Sequence, residues 1–117
     1  MAKIYHIAAA STWARAREAG DYTMSTRDRT LAQEGFIHAS TAQQVAGVAN
    51  KFYRGDTDLV LLEIDTDLVG PEVRYEQVPG AADPFPHIYG PLNTTAVVAV
   101  SPFASDATGQ FSFPADA

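Results

Sequence analysis

The chain has 117 residues, 46% apolar and 19% charged, with fourteen acidic against eight basic side chains and a formal net charge of −6. That is one soluble domain able to bury a single core, and its acidic balance excludes duplex nucleic acid as an expected partner, because phosphate binding needs clustered Lys or Arg. It contains no cysteine, which excludes disulfides, thiolate catalysis and Cys-type zinc sites, and no apolar run near the roughly 20 residues of a membrane span, so a cytoplasmic protein without a membrane partner is expected.

Lys3 to Ala9 reads as a first strand, with Ile4, Tyr5 and Ile7 as β-formers and His6 pointing opposite its neighbours. Ser11 or Thr12 caps a helix through about Ala19, and Gly20 stops it. Asp21 to Ser25 is extended, and the polar stretch from Thr26 to Glu34 forms a loop or a single helical turn. Gly35 releases a short strand, Phe36 to Ala39. Ser40 and Gln43 match a capping box. In the helix that follows, Val45, Val48, Ala49 and Phe52 form a core-facing stripe, and Gly55 ends it.

Leu59 to Asp65 is apolar enough for a central strand buried on both faces. Glu72 to Val78 alternates as another strand, and Gly80 to Pro86, rich in turn residues, is a loop. Ile88 and Tyr89 are a short extended piece before Gly90-Pro91, and Thr94 to Val100 is a last β-rich run. The domain spans residues 1–102, with a tail, 103–117, that drapes Phe103, Phe111 and Phe113 over its surface. Strands and helices mix without regular βαβ alternation. The expected class is therefore α+β, with small mixed or antiparallel sheets and two or three helices.

All three histidines stand in apolar frames: Tyr5-His6-Ile7, Ile37-His38-Ala39-Ser40 and Pro86-His87-Ile88-Tyr89. Histidine titrates nearest neutrality and serves as acid, base or metal ligand; its bland role is a core residue with a ring nitrogen bonded to a backbone carbonyl. The pattern points to a pocket. His6 and His38 are expected on neighbouring strands facing one cavity, with Ser40 at its rim, where they can work as an acid–base pair. The helix behind Ser40 would offer its free N–H groups to an anion next to His38. Trp13 is read as core, and Arg27 and Arg29 as solvated loop residues. A metal site built from His6, His38 and His87 is the competing arrangement, although no HxH or HxxxH spacing supports it.

The strings Gly35-Phe36-Ile37-His38-Ala39-Ser40-Thr41 and Phe85-Pro86-His87-Ile88-Tyr89-Gly90-Pro91-Leu92, with Tyr5-His6-Ile7, Trp13, Leu61-Leu62-Glu63-Ile64-Asp65 and Glu76, resemble a small bacterial family of domains of unknown function, the family numbered nine-five-two. That resemblance runs from Ile4 to Val100. More distantly, the strand with Tyr5-His6, the strand with Ile37-His38-Ala39-Ser40-Thr41 and the strand ending Ile64-Asp65 are similar to the ADP-ribosyltransferase-like fold, and within it to the RNA 2′-phosphotransferase branch. Ile7 stands where those transferases carry glycine.

The distant resemblance implies a cleft between two small sheets that takes NAD or an ADP-ribosylated intermediate. By it, His6 contacts the nicotinamide ribose, Ser40 fills the second-strand polar position, and Glu76 supplies the acidic group. The combined expectation is His6, His38 and Glu76 as catalytic residues and Ser40, Thr41, His87 and Tyr89 as ligand contacts. The ligand is a small anionic or nucleotide-like molecule such as NAD or ADP-ribose, with no metal. A non-catalytic binding module with the same pocket and a metal-dependent hydrolase using His6, His38 and His87 are the alternatives.

Overall fold

The computed structural model describes residues 2–114. Their elements run β1 (Lys3–Ala9), α1 (Ala10–Ala19), β2 (Asp21–Tyr22), β3 (Met24–Thr26), β4 (Arg29–Thr30), α2 (Leu31–Glu34), β5 (Ile37–His38) and α3 (Val45–Phe52). They continue as β6 (Leu59–Asp65), β7 (Glu72–Glu76), β8 (Phe85–Tyr89), β9 (Leu92–Asn93) and β10 (Val97–Pro102), with 3-10 turns at Thr66–Leu68 and Thr94–Ala96. Among the described residues the fold is α+β, with antiparallel sheets and few helices. None of these helices is long and apolar enough to cross a membrane.

β6 is the middle strand of the sheet β1–β6–β10. Successive side chains leave a strand on opposite faces, and here each face carries its own core. Ile4, Ala8, Leu62 and Ile64 pack with Trp13 and Ala16 of α1 and with Tyr22, Ile37, Ile88 and Leu92. Tyr5, Ile7, Leu59 and Leu61 pack with Val45 and Ala49 of α3 and with Tyr53, Phe103 and Phe111. The expected burial of β6 on both faces follows directly. Trp13 is core, as read.

A second sheet, β5–β8–β7, sits beside the first. The two are stitched by one bridge, in which Tyr5 and Ser40 exchange backbone hydrogen bonds of 2.7 and 2.8 Å. That pairing keeps Ser40 extended. The Ser40–Gln43 capping box therefore does not form. Gln44 instead accepts from the Thr41 N–H at 3.0 Å, and the helix starts at Val45, so no helix N-terminus directly follows His38. A capping box does form earlier, between Thr30 and Gln33, and it makes α2 a single helical turn, one of the two forms expected for this polar stretch.

Other expectations are corrected as well. α1 begins at Ala10 with no side-chain cap; Ser11 and Thr12 lie inside its first turn, and the Ala10 N–H is satisfied by the Asp58 carbonyl at 2.8 Å. Gly20 ends it with φ 92°, a left-handed conformation that glycine adopts without strain. Phe52 leaves the core stripe and is 58% exposed.

Phe85 and Pro86, expected in a loop, belong to β8, the middle strand of its sheet. Proline there is unusual because it cannot donate to a ladder. The Pro86 carbonyl accepts from Ala39 N–H at 3.1 Å. The N and C=O of one strand residue point the same way, so the missing donor faces the side where the two-residue β5 has already ended.

The C-terminal segment is not draped over the surface. Phe103 and Phe111 are 3% and 1% exposed and complete the second core, while Phe113 packs edge-on against Tyr5 at 5.1 Å. Asn50 clamps the segment by accepting from Phe111 N–H at 2.7 Å and donating to its carbonyl at 2.9 Å. Residues 115–117 of the expected tail lie outside the described residues.

Candidate functional site

The pairings Ile37↔Ile88↔Val73 and His38↔His87↔Arg74 run across β5, β8 and β7. The first row turns inward to the core around Ile4 and Trp13. The second therefore faces outward, and strand alternation places Phe85, His87 and Tyr89 on that same outer face. There the Glu76 carboxylate receives two hydrogen bonds on one oxygen, from Tyr89 Oη at 2.5 Å and from His87 Nδ1 at 2.7 Å. The Tyr89 bond, followed by the His87 bond, holds Glu76 below the usual carboxylate range, and the Tyr89 phenol is correspondingly raised. Arg74 lies over the Tyr89 ring at 4.4 Å and pairs with Glu72 at 3.0 Å.

An ionised carboxylate only accepts hydrogen bonds, so His87 Nδ1 carries the proton of this bond. Nε2 is buried without a hydrogen-bond partner. Phe36 stacks on the ring at 4.1 Å and 21°, and His38 meets it edge-on at 5.3 Å. Phe36 is itself anchored, since Ser25, fully buried, donates its hydroxyl to the Phe36 carbonyl. His38 Nε2 lies 3.5 Å from Glu34, which Arg29 grips at 2.8 Å. Desolvation lowers the His38 pKa against the opposing pull of Glu34, which favours a neutral ring at neutral pH.

His38, Ser40 and His87 line a cleft of about 480 Å³ whose remaining walls are Val48 and Phe52 of α3, Val78, Phe85, Ala39 and the β3–β4 turn at Thr26 and Arg27. The cleft is apolar along α3 and polar at the histidine end. Arg27, read as a solvated loop residue, reaches Asp56 at 2.9 Å and forms part of the rim. A neighbouring cavity of about 430 Å³ shares Thr26 and Arg27 but contains neither His38 nor His87, and its carboxylates Asp28 and Asp56 flank the same arginine.

His6 does not join this site. Its ring is 3% exposed, with Nδ1 at 2.5 Å from the His38 carbonyl and Nε2 at 2.9 Å from the Tyr22 hydroxyl. The carbonyl fixes the proton on Nδ1, and Tyr22 donates to Nε2, so both nitrogens are used inside the protein. β1 and β5 belong to different sheets, contrary to expectation, and His6 meets the backbone of His38 rather than its ring. The two flank only a small void of about 30 Å³, with Ser40 beside it, room for about one water.

The structure thus brings His38, Ser40 and His87 to one cleft, with Glu76 and Tyr89 held against His87 outside its lining. The Thr41 N–H donates to Gln44, and Thr41 lies off the cleft lining. The three histidines do not converge as ligands: His6 has no free nitrogen, and no group of three metal-ligating side chains occurs among the described residues. Sequence reasoning passed over Glu34, Phe36, Val48, Phe52 and Phe85 as site residues. Alternation in Phe85-x-His87-x-Tyr89 against Glu72-x-Arg74-x-Glu76 carries the signal for the outer face, once Phe85 and Pro86 are allowed into the strand.

Residues 7–100 match the model of a family described as protein of unknown function (DUF952). No curated protein matches the chain. The chain is similar to the crystal structure of protein CC0527 from Caulobacter crescentus, at 34% identity over 93% of this chain and 92% of that one, with a TM-score of 0.81. A crystal structure of a double mutant of CC0527 gives 34% identity, the same coverage and a TM-score of 0.80. The solution NMR structure of CC0527 gives 34% identity over 94% and 91%, with a TM-score of 0.77. With a family match over most of its length, and a shared fold reaching almost end to end, the chain belongs to the DUF952 family of proteins of unknown function.

Proposed function

We propose that the cleft binds a small anionic or nucleotide-like molecule, with a flat apolar part against Phe52, Phe85, Val48 and Val78 and a polar end towards His87 and His38. The observation that carries this reading is the buried, unpartnered Nε2 of His87 in a residue that lines a largely apolar cleft. Leaving such a buried polar atom unsatisfied costs about 1–3 kcal/mol, and a polar group on a ligand offsets that cost. A volume of about 480 Å³ lies within the range of small-molecule sites. Arg27 at the rim supplies the cation for an anionic group, in competition with Asp56.

NAD and ADP-ribose are the first nucleotide-like probes, because the ADP-ribosyltransferase-like reading of the fold implies them. In that form Glu76 acts through His87, since its carboxylate is bonded to the ring and lies off the cleft lining, and the ribose contact expected of His6 has no free ring nitrogen to make it. Thermal melts with NAD, ADP-ribose, AMP and benzoate test the binding. A probe at one hundred times its Kd stabilises the protein by about 2.7 kcal/mol, and Arg27→Ala or His87→Ala should abolish the shift. Absence of any shift, or a shift unchanged in both variants, removes the reading. Nicotinamide release that falls in Glu76→Gln with NAD binding retained would establish the transferase; binding without release would leave a non-catalytic module.

A further inference from the structure

We infer that His87 is a general base, catalytic towards a flat, largely apolar substrate that enters the cleft with a weakly acidic C–H or O–H proton foremost, and that Glu76 and Tyr89 position it. The proposal rests on the cleft reading only for where the substrate sits. The chemistry comes from a chain of three groups.

Glu76 accepts from both Tyr89 and His87 on one oxygen, so the Tyr89 hydroxyl holds the carboxylate in place while the carboxylate holds the imidazole. A base oriented by a third group is the general signature of an activated side chain. Phe36 stacked at 4.1 Å restricts the ring to this orientation. Nε2, the ring nitrogen that Glu76 does not engage, is buried and without a hydrogen-bond partner, in a residue that lines the cleft. A purely bracing role for the pair, tying β7 to β8, accounts for Nδ1 and Glu76 but leaves the orphaned Nε2 unexplained.

The step balances without any added reagent. The Nε2 lone pair takes the substrate proton, the electrons of the broken bond remain on the substrate, and the new imidazolium shares its Nδ1 proton with the Glu76 carboxylate. The charge that develops on the ring thus meets a carboxylate already in place, the kind of preorganised electrostatics that lowers a barrier. When the proton passes to product or solvent, the ring is restored.

The probe is 5-nitrobenzisoxazole, a flat aromatic. Removal of its C3 proton turns the C–H electrons into a nitrile and breaks the N–O bond, releasing a coloured phenolate. The intact protein should show saturable elimination, about 10²-fold or more above free imidazole at equal concentration. His87→Ala should fall to background and recover in part with added imidazole. Glu76→Gln keeps the acceptor oxygen but loses the charge, so kcat should fall about tenfold with KM unchanged. Histidine ¹⁵N spectra of the unsubstituted protein should show His87 protonated at Nδ1 and bare at Nε2, a readout that survives even if a variant fails to fold.

Elimination that persists in folded His87→Ala, or a proton found on Nε2, overturns the proposal. Nucleotide or benzoate binding without His87-dependent elimination overturns the base and leaves the cleft reading standing. Elimination with no binding of those probes does the reverse.

Discussion

His6 shows how one side chain can look catalytic and be structural. It stands where β1 and β5 diverge, and its Nδ1–H satisfies the His38 carbonyl at that split. Burial pushes its pKa down to about 4, against about 6.5 in an unfolded chain. Between those values the unfolded state binds the extra proton, so stability is full above about pH 6.5, falls as the pH drops towards 4, and then levels. Urea denaturation should find the protein about 2 kcal/mol less stable at pH 5 than at pH 8 from this group. His6→Gln should lose that pH-dependent component while lowering stability throughout. A pH dependence unchanged in the variant would assign the effect elsewhere. Neither the saturation of His6 nor the freedom of His87 was legible in sequence. Their partners, Tyr22 for one and Glu76 for the other, arrive through strand pairings that the local pattern does not reveal.

At the scale of elements, long apolar runs and helix stripes were readable. β1, α1, α3 and β6 are where periodicity places them, because each must turn a continuous apolar face to a core. Short elements were readable only in part. β5 and β2 fall inside the short strand and extended stretch expected there, but β4 and β9, of two residues each, owe their existence to pairing alone, and Pro86 conceals the start of β8. The segment after Pro102 is hard to place because three aromatics, Phe103, Phe111 and Phe113, in a polar, Ser- and Pro-containing stretch carry no sustained period. Its attachment depends on Asn50, whose amide imitates a strand edge for Phe111. Asn50→Ala removes two hydrogen bonds and should cost about 1–3 kcal/mol; Asn50→Asp keeps the acceptor for the Phe111 N–H but sets an oxygen against the Phe111 carbonyl, so it should not recover that loss. Phe111→Ala should cost about 3–5 kcal/mol by opening the second core. Chemical denaturation that finds Asn50→Ala as stable as the unsubstituted protein, or Asn50→Asp fully restored, would refute the clamp.

For the molecule as a whole, the α+β class followed from element order, whereas the layout of a sheet with a core on each face depended on which strands pair. That layout has a spectroscopic consequence. The chain's single tryptophan, Trp13, is buried in the core shared with Tyr22 and Ile88, while the opposite core holds tyrosines and phenylalanines. Its emission therefore watches one side of the β1–β6–β10 wall and is blind to the other. Because β1 and β6 contribute side chains to both sides, the melt followed by tryptophan emission should coincide with the one followed by far-ultraviolet circular dichroism. Separate midpoints would mean that the Phe111 side opens as an independent unit, and an emission-based stability would then describe only half of the protein.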